Sequence, residues 1–248
     1  MPVIAIVGAG PGLGLSIARR FGREGFTVAL ISRTQAKLDG LAAELASSDI
    51  QAAGFAGNVL DRPSLTAALS AATDRFGHVD VLEYSPAGHG EPQGLDMLDV
   101  LGATAENVQP QVEFYVYGAI TAVRAVLPGM LERGHGTLFF TTGASSAVTM
   151  PPMGNVGIAG AGLRNYALAL NAALAGRGVY AAHVPLGVFI GSGGPETQPD
   201  TIAELYWDLY LSRDQPERLY AVPQVIRGWG NPPGRTAVAP IPDEGAAS

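Results

Sequence analysis

Directly after the apolar run Val3–Val7 the chain reads Gly8-Ala9-Gly10-Pro11-Gly12-Leu13-Gly14. Three of these glycines, spaced G-x-x-x-G-x-G, can each do a separate job. Gly8 permits a tight turn, Gly12 lets backbone approach a pyrophosphate, and Gly14 lets a following helix pack closely on the strand. Pro11 and Leu13 complete the turn, and the helix behind it presents unpaired N–H groups to an anion. The pattern points to a dinucleotide phosphate; the alternative is a strand-to-helix turn with no ligand. The second apolar run ends Ile31-Ser32-Arg33-Thr34. A carboxylate at this place binds both ribose hydroxyls of NAD(H). Arg33 instead suits a 2′-phosphate, with Ser32 and Thr34 adding hydroxyl donors, so NADP(H) is favoured over NAD(H). The competing reading leaves Arg33 as a solvated surface arginine.

Groups able to move a proton lie further along the chain. Thr141, Thr142, Ser145 and Ser146 follow a later apolar run, and each hydroxyl can orient a substrate oxygen or simply close a turn. Tyr115 and Tyr117 stand on a long helical stretch, where Tyr115 is either a proton donor or a volume filler. His89 and Glu91 share a Gly/Pro-rich loop and can form an acid–base pair, against the plainer reading of a solvated loop histidine. His183 reads as a hydrogen-bonded core residue rather than a base. Met150, Pro151, Pro152 and Met153 can wall an apolar pocket, and Tyr206, Trp207 and Tyr210 can lid it. At helical spacing such aromatics more often fill a core or a subunit contact. No His/carboxylate spacing argues for a metal.

These groups need a frame that gathers them. Strands are expected at Val3–Val7, Phe26–Ile31, Ile50–Ala56, Val79–Tyr84, Gly136–Thr142 and Val179–Pro185, with a short last one at Leu219–Val222. Helices are expected between them over Ser16–Glu24, Thr34–Ala46, Asp61–Phe76, Ala105–Arg133, Asn155–Ala175 and Thr201–Leu211. Thr34 and Asp61 are the expected N-caps, and Pro63 falls in a first turn. The alternation predicts an α/β fold: a Rossmann-type doubly wound parallel sheet in three α/β/α layers with right-handed crossovers. Residues 1–222 read as a single dinucleotide-binding domain, and 223–248 as a Pro/Gly-rich tail with no period.

Composition narrows the function classes. A 248-residue chain that is 47% hydrophobic and 15% charged is no disordered segment. The absence of cysteine excludes a disulfide scaffold, thiolate catalysis and cysteine-ligated metal. A net charge of −7 argues against nucleic acid as a partner. No basic stretch precedes the first apolar run, and no uninterrupted apolar window reaches about 18 residues. The expectation is a cytoplasmic protein with a small-molecule substrate and neither membrane nor nucleic-acid partner. Among its 15 basic residues only Lys37 is a lysine.

The glycine turn, Asp80-Val81-Leu82 after Gly77, Gly118 with Pro128-Gly129-Met130, and Gly136-Thr137-Leu138, taken in order, resemble the short-chain dehydrogenase/reductase family. The resemblance runs over roughly residues 3–222. It implies further cofactor contacts at Asn58, Val59, Pro86 and Gly187. It also implies a homo-oligomer, dimer or tetramer, packed through the long helix and the Asn155–Ala175 helix. Several functional positions depart from the family pattern. The usual Asn-Asn-Ala-Gly stands as Tyr84-Ser85-Pro86-Ala87, the usual Asp-Val as Asn58-Val59, and the helical Asn as Tyr115. The family's Ser falls at Gly143, its Tyr at Val156 and its Lys at Gly160, which keeps the family's Ser-to-Tyr spacing. Lys37, beside the adenosine end, cannot stand in for that lysine. Two expectations follow for such an atypical member. The first is an NADP(H)-dependent oxidoreductase acting on a C=N or conjugated C=C bond in preference to a simple ketone. The second is the same fold without redox activity, as a cyclase, isomerase, lyase or cofactor-binding pseudoenzyme. Ser145, Ser146, Tyr115 and His89 remain the catalytic candidates.

Overall fold

The computed structural model describes residues 1–87 and 95–222. Seven strands form one sheet: β1 (Val3–Val7), β2 (Thr27–Ser32), β3 (Ala52–Ala56), β4 (Val81–Tyr84), β5 (Gly136–Gly143), β6 (Val179–Gly187) and β7 (Tyr220–Ala221). They are all parallel, in the order β3-β2-β1-β4-β5-β6-β7. The order reverses between β1 and β4, so the crevice of the sheet opens above the carboxyl ends of these two strands. Helices α1 (Leu13–Gly22), α2 (Gln35–Ala46), α3 (Arg62–Phe76), α4 (Ala105–Val112), α5 (Gly118–Arg133), α6 (Gly154–Ala173) and α7 (Pro199–Ser212) make the crossovers. This is the doubly wound, three-layer arrangement that the strand–helix alternation predicts.

Helices cover both faces, and this is why β1 is a continuous apolar run, buried at every residue, instead of an alternating one. On one face Ile4, Ile6, Leu30 and Phe139 pack with side chains of α1, α2 and α7; on the other Ala5, Ile31, Leu82 and Phe140 pack with α3, α5 and α6. Phe21 of α1 meets Phe26, Trp207 and Tyr210 edge-on with centroids 5.2–5.6 Å apart. Each such pair adds about 1 kcal/mol to the area it buries. Tyr206 is fully buried. Among the described residues the apolar face of α7 packs on α1 and the sheet, so its aromatic stripe builds the core and does not lid a pocket.

Most expected elements lie within a few residues of their observed bounds. The largest departure is α1, which begins at Leu13, three residues before Ser16, because Gly12 leads straight from the turn into the helix. Thr34 stands at the N-cap of α2 without a side-chain cap bond, whereas Asp61 accepts from the Ser64 N–H. The long helical stretch is interrupted. A turn of π-helix, Glu113–Tyr117, separates α4 from α5, and the Tyr84 hydroxyl donates to the Phe114 carbonyl within it at 2.6 Å. By length and apolarity the Ala105–Arg133 run could cross a membrane, but Ala119, Ala122, Val123, Val126 and Met130 of α5 are packed into the core.

Candidate active site

The glycine turn sits at the mouth of the crevice. Gly8 has φ +102°, and a Cβ there would lie 2.6 Å from the Ser85 carbonyl oxygen and 2.7 Å from Pro86 Cα. Only glycine fits. The Gly8 and Ala9 N–H groups both donate to the Ile31 carbonyl, at 2.9 and 3.0 Å, which ties the turn to the end of β2. A Cβ on Gly14 would lie 3.2 Å from Ala9 Cα, so α1 approaches the strand closely. Around Gly12 a Cβ would meet nothing within 4 Å. The first turn of α1 carries no acidic residue of its own; the nearest carboxylate bond to it is that of Asp200, which accepts from Ser16 Oγ at 2.6 Å.

Neighbouring strand ends bring the other nucleotide candidates to this edge. Ser32 and the exposed Arg33 follow Ile31, and the Ser32 carbonyl accepts from the Gly57 N–H at 2.9 Å. Asn58 and Val59 come next. The Asn58 side-chain oxygen accepts from the Leu60 N–H at 3.1 Å, which leaves one lone pair for any other donor. Pro11 is exposed and Leu13 buried beside it. Gly8, Gly12, Gly14, Ser32, Arg33, Asn58, Val59 and Pro86 thus gather along one edge. Gly187 ends β6, beyond β4 and β5, and its carbonyl accepts from the Val222 N–H.

The second half of the crevice lies where β5 ends. Gly143 is exposed, and a Cβ on it would lie 3.9 Å from Ser145 Oγ. The half-buried Ser145 hydroxyl has no hydrogen bond among the described residues, so it is open to a ligand. Ser146 is buried against α6: a Cβ on Gly160 would come within 3.0 Å of its Cβ, and one on Gly157 within 3.3 Å of the Ser145 carbonyl oxygen. Val156 is buried in the same seam. Tyr115 packs edge-on against Phe114 at 5.1 Å, and burial raises its pKa. Asn155 is fully buried: its oxygen accepts from the Leu98 and Val156 N–H groups, and its nitrogen donates to the Asp96 and Asn107 carbonyls. All its capacity is used, and the segment 96–98 is fastened over the start of α6. His89 and Glu91 lie outside the described residues.

Two buried polar networks flank this seam, one on each face of the sheet. On the α7 face Glu83 of β4 is fully buried and accepts from Ser85 Oγ at 2.7 Å and Thr141 Oγ1 at 2.8 Å, while Thr141 also bonds the Tyr206 hydroxyl at 2.7 Å. Burial pushes the Glu83 carboxyl up to about 7, against the two hydroxyl bonds. On the α6 face Ser146 Oγ, Thr142 Oγ1 and His183 Nε2 follow one another at 2.8 Å steps. His183 Nδ1 meets Glu217 Oε2 at 2.9 Å, and Arg164 grips that carboxylate with Nε and Nη2 at 2.5 and 2.9 Å. Burial lowers the His183 pKa, and the Arg164 hydrogen bond lowers that of Glu217. His183 is thus the hydrogen-bonded core residue expected of it, with partners that sequence reading did not supply. Glu83 and Glu217 were missed. A carboxylate inside the four-residue buried strand VLEY was the available signal for Glu83; nothing local marked Glu217.

A cavity of about 400 Å³ opens at the opposite, amino-terminal edge of the sheet, between Pro2, His78, Asp80, His135 and Arg213. Asp80 there accepts from the Val3 N–H at 2.8 Å and faces His78 and His135, so it pins β1 to β4 far from the crevice.

The model of the short chain dehydrogenase family matches residues 2–193. The chain belongs to the short-chain dehydrogenase family. It is 32% identical over 209 residues to 2-(S)-hydroxypropyl-CoM dehydrogenase 3 of Xanthobacter autotrophicus, covering 81% of this chain and 79% of the relative. It is 28% identical over 191 residues to an NADP-dependent 3-hydroxy acid dehydrogenase of Shigella flexneri, covering 77% and 73%. L-sorbose reductase from Gluconobacter frateurii, solved with NADPH and L-sorbose, shares the fold with a TM-score of 0.74 at 21% identity, over 89% of this chain and 94% of that one.

Proposed function

We propose that this short-chain dehydrogenase is an NADP(H)-dependent oxidoreductase that works without the family's Tyr/Lys pair, on a small apolar substrate with a C=N or conjugated C=C bond. One observation carries the reading: the two halves of the crevice differ. The nucleotide half has an open helix N-terminus, a glycine-only turn and Arg33 at the end of β2. The reaction half has exposed Gly143 beside Ser145, Gly160 packed on Ser146 and buried Val156, with no titratable side chain at those three positions. The cofactor would supply hydride. In this reading the Gly8–Gly14 turn and the α1 N-terminus hold the pyrophosphate, Arg33 and Ser32 the 2′-phosphate, and Asn58, Val59 and Pro86 the adenosine. Ser145, open and half-buried, orients the substrate, and Met150 is the apolar wall. The NADP-dependent relative and the NADPH-bound sorbose reductase support the cofactor preference.

A substrate whose reduction needs little proton donation suits such a site better than a ketone does. Oxidation of NADPH, followed by absorbance across cyclic imines, enones and matched ketones, tests this. The reading expects imines or enones to turn over fastest; ketones as the best substrates would overturn it. The bare seam at 143, 156 and 160 also favours a second reading, a cofactor-binding member with no redox step. Tight NADPH binding with no turnover on any panel member would select it. Oligomer formation through α5 and α6 is part of the proposal. It is supported by exposed Ile158 beside Gly157, Ala161 and Gly162, which permit close approach of a second backbone.

A further inference from the structure

We propose that His183, oriented by Glu217, exchanges protons with the substrate through Thr142 and Ser146, and so replaces the missing acid–base pair; this rests on the oxidoreductase reading above. The geometry fixes the direction of the bonds around the imidazole. Arg164 holds Glu217 in a two-point clasp from α6, so the carboxylate is ionised and can only accept. His183 must then carry its proton on Nδ1, donating to Glu217 at 2.9 Å. Nε2 is left as an acceptor, and Thr142 Oγ1 at 2.8 Å is the donor that satisfies it. Ser146 Oγ lies 2.8 Å from Thr142 Oγ1, and its one hydrogen is shared between Thr142 and the Gly143 carbonyl at 2.9 Å, so the relay needs the hydroxyl to turn from Gly143 to Thr142. The result is a carboxylate–imidazole–hydroxyl series of the kind that activates a hydroxyl in acyl-transfer enzymes, extended by one further hydroxyl.

Backbone pairing holds the series in place. The His183 N–H donates to the Pro216 carbonyl and the Arg218 N–H to the His183 carbonyl, so Glu217 is bridged directly to His183. Thr142 sits on β5, one strand over and two residues along in the β5–β6 register, where Phe140 pairs His183. Ser146 ends the series beneath exposed Gly143, packed on Gly160. Ser146 is the group that meets substrate; Thr142, His183 and Glu217 are positioning residues behind it.

In the reducing direction the step balances as follows. The bound cofactor would supply a hydride to the β-carbon of the activated C=C bond, and the α-carbon takes a proton from Ser146. Ser146 is refilled from Thr142, and Thr142 from Nε2 of the protonated imidazole, which ends neutral with its Nδ1–H on Glu217. The substrate gains one hydride and one proton, and solvent restores the imidazolium. Oxidation runs the same series in reverse. The charged groups facing the ring are Glu217, from the segment beside β6, and Arg164, from α6; β5 contributes only hydroxyls.

Imidazole 15N spectra of the full ligand-free chain, assigned with His183→Gln, give the first test. The expected result is a neutral ring at pH 7 with its proton on Nδ1, and a shifted Nε2 resonance in Thr142→Val. A neutral ring with its single proton on Nε2 would overturn the proposal, because Nδ1 would then carry no proton for Glu217 and Nε2 could not accept from Thr142. The second test is turnover. Thr142→Val, a near-isosteric change, should lower kcat by about 10²–10⁴-fold with NADPH affinity unchanged. In the parent protein, reductive kcat should fall as pH rises through a value below the usual 6.5 for histidine, and Thr142→Val should flatten that limb. A Thr142→Val protein with parental kcat and pH profile would also overturn it. A parent protein that transfers no hydride removes the oxidoreductase reading alone, and the tautomer then decides the relay.

Discussion

Glu83→Gln isolates the cost of placing a carboxyl in the centre of the sheet. In the folded chain Glu83 is fully buried and keeps its proton up to about pH 7, against about 4.5 for an ordinary glutamate. Below pH 4.5 both folded and unfolded chains hold the proton, and the site adds no pH-dependent term. Between 4.5 and 7 the folded chain binds the proton more tightly, so its stability falls as pH rises. Above 7 the buried carboxylate is ionised and the full penalty stands. A gap of about 2.5 at about 1.4 kcal/mol each comes to about 3 kcal/mol. The glutamine side chain keeps the shape and still accepts from Thr141, but it cannot ionise. Urea denaturation of both proteins from pH 4.5 to 8.5 should show Glu83→Gln gaining about 3 kcal/mol relative to the parent across that range, whatever the offset at pH 4.5. A difference between the two that stays flat with pH would refute the reasoning.

Four further outcomes follow from the packing. Gly118→Ala would place a Cβ 2.1 Å from the Tyr84 hydroxyl; it should cost about 1–3 kcal/mol in denaturant, and Tyr84→Phe in the same chain should return part of that loss. Gly8→Ala, which forces an alanine to φ +102° against Ser85 and Pro86, should abolish nucleotide binding by calorimetry and lower Tm by several degrees. Asn155→Ala strands four backbone partners; a loss of about 3 kcal/mol is expected, with faster limited proteolysis between residues 95 and 104. Arg33→Ala should weaken NADPH by about 10–100-fold while leaving NADH nearly unchanged, as read by fluorescence titration.

What could be read from the chain was what its neighbours in sequence decide. The glycine turn, the Ser32-Arg33 pair and the fully apolar β1 each declare themselves within a few adjacent residues, and strand–helix alternation then leaves few ways to order the sheet. The start of α1 was read late because a glycine N-cap gives no hydroxyl or carboxylate signal. The π-helical turn has no local sequence signature; its Phe114 carbonyl is met by Tyr84 of β4, 30 residues earlier in the chain. The aromatic stripe of α7 carried the right period but not the identity of its partner, which is α1, 184 residues earlier in the chain at the Ser16–Asp200 and Arg20–Glu204 bonds. Long-range register hid the relay as well. Thr142 and His183 are 41 residues apart, and His183 and Glu217 are 34 apart, so only the pairing of β5 with β6 and of His183 with Glu217 makes them one group.

The crevice's choice of nucleotide underlies every catalytic step, and calorimetric titration of the full chain with NADPH and with NADH reads it. Saturable NADPH binding at least about tenfold tighter than NADH is expected, from the α1 N-terminus and Arg33. No heat from either nucleotide up to millimolar concentration, or tighter binding of NADH, would contradict it.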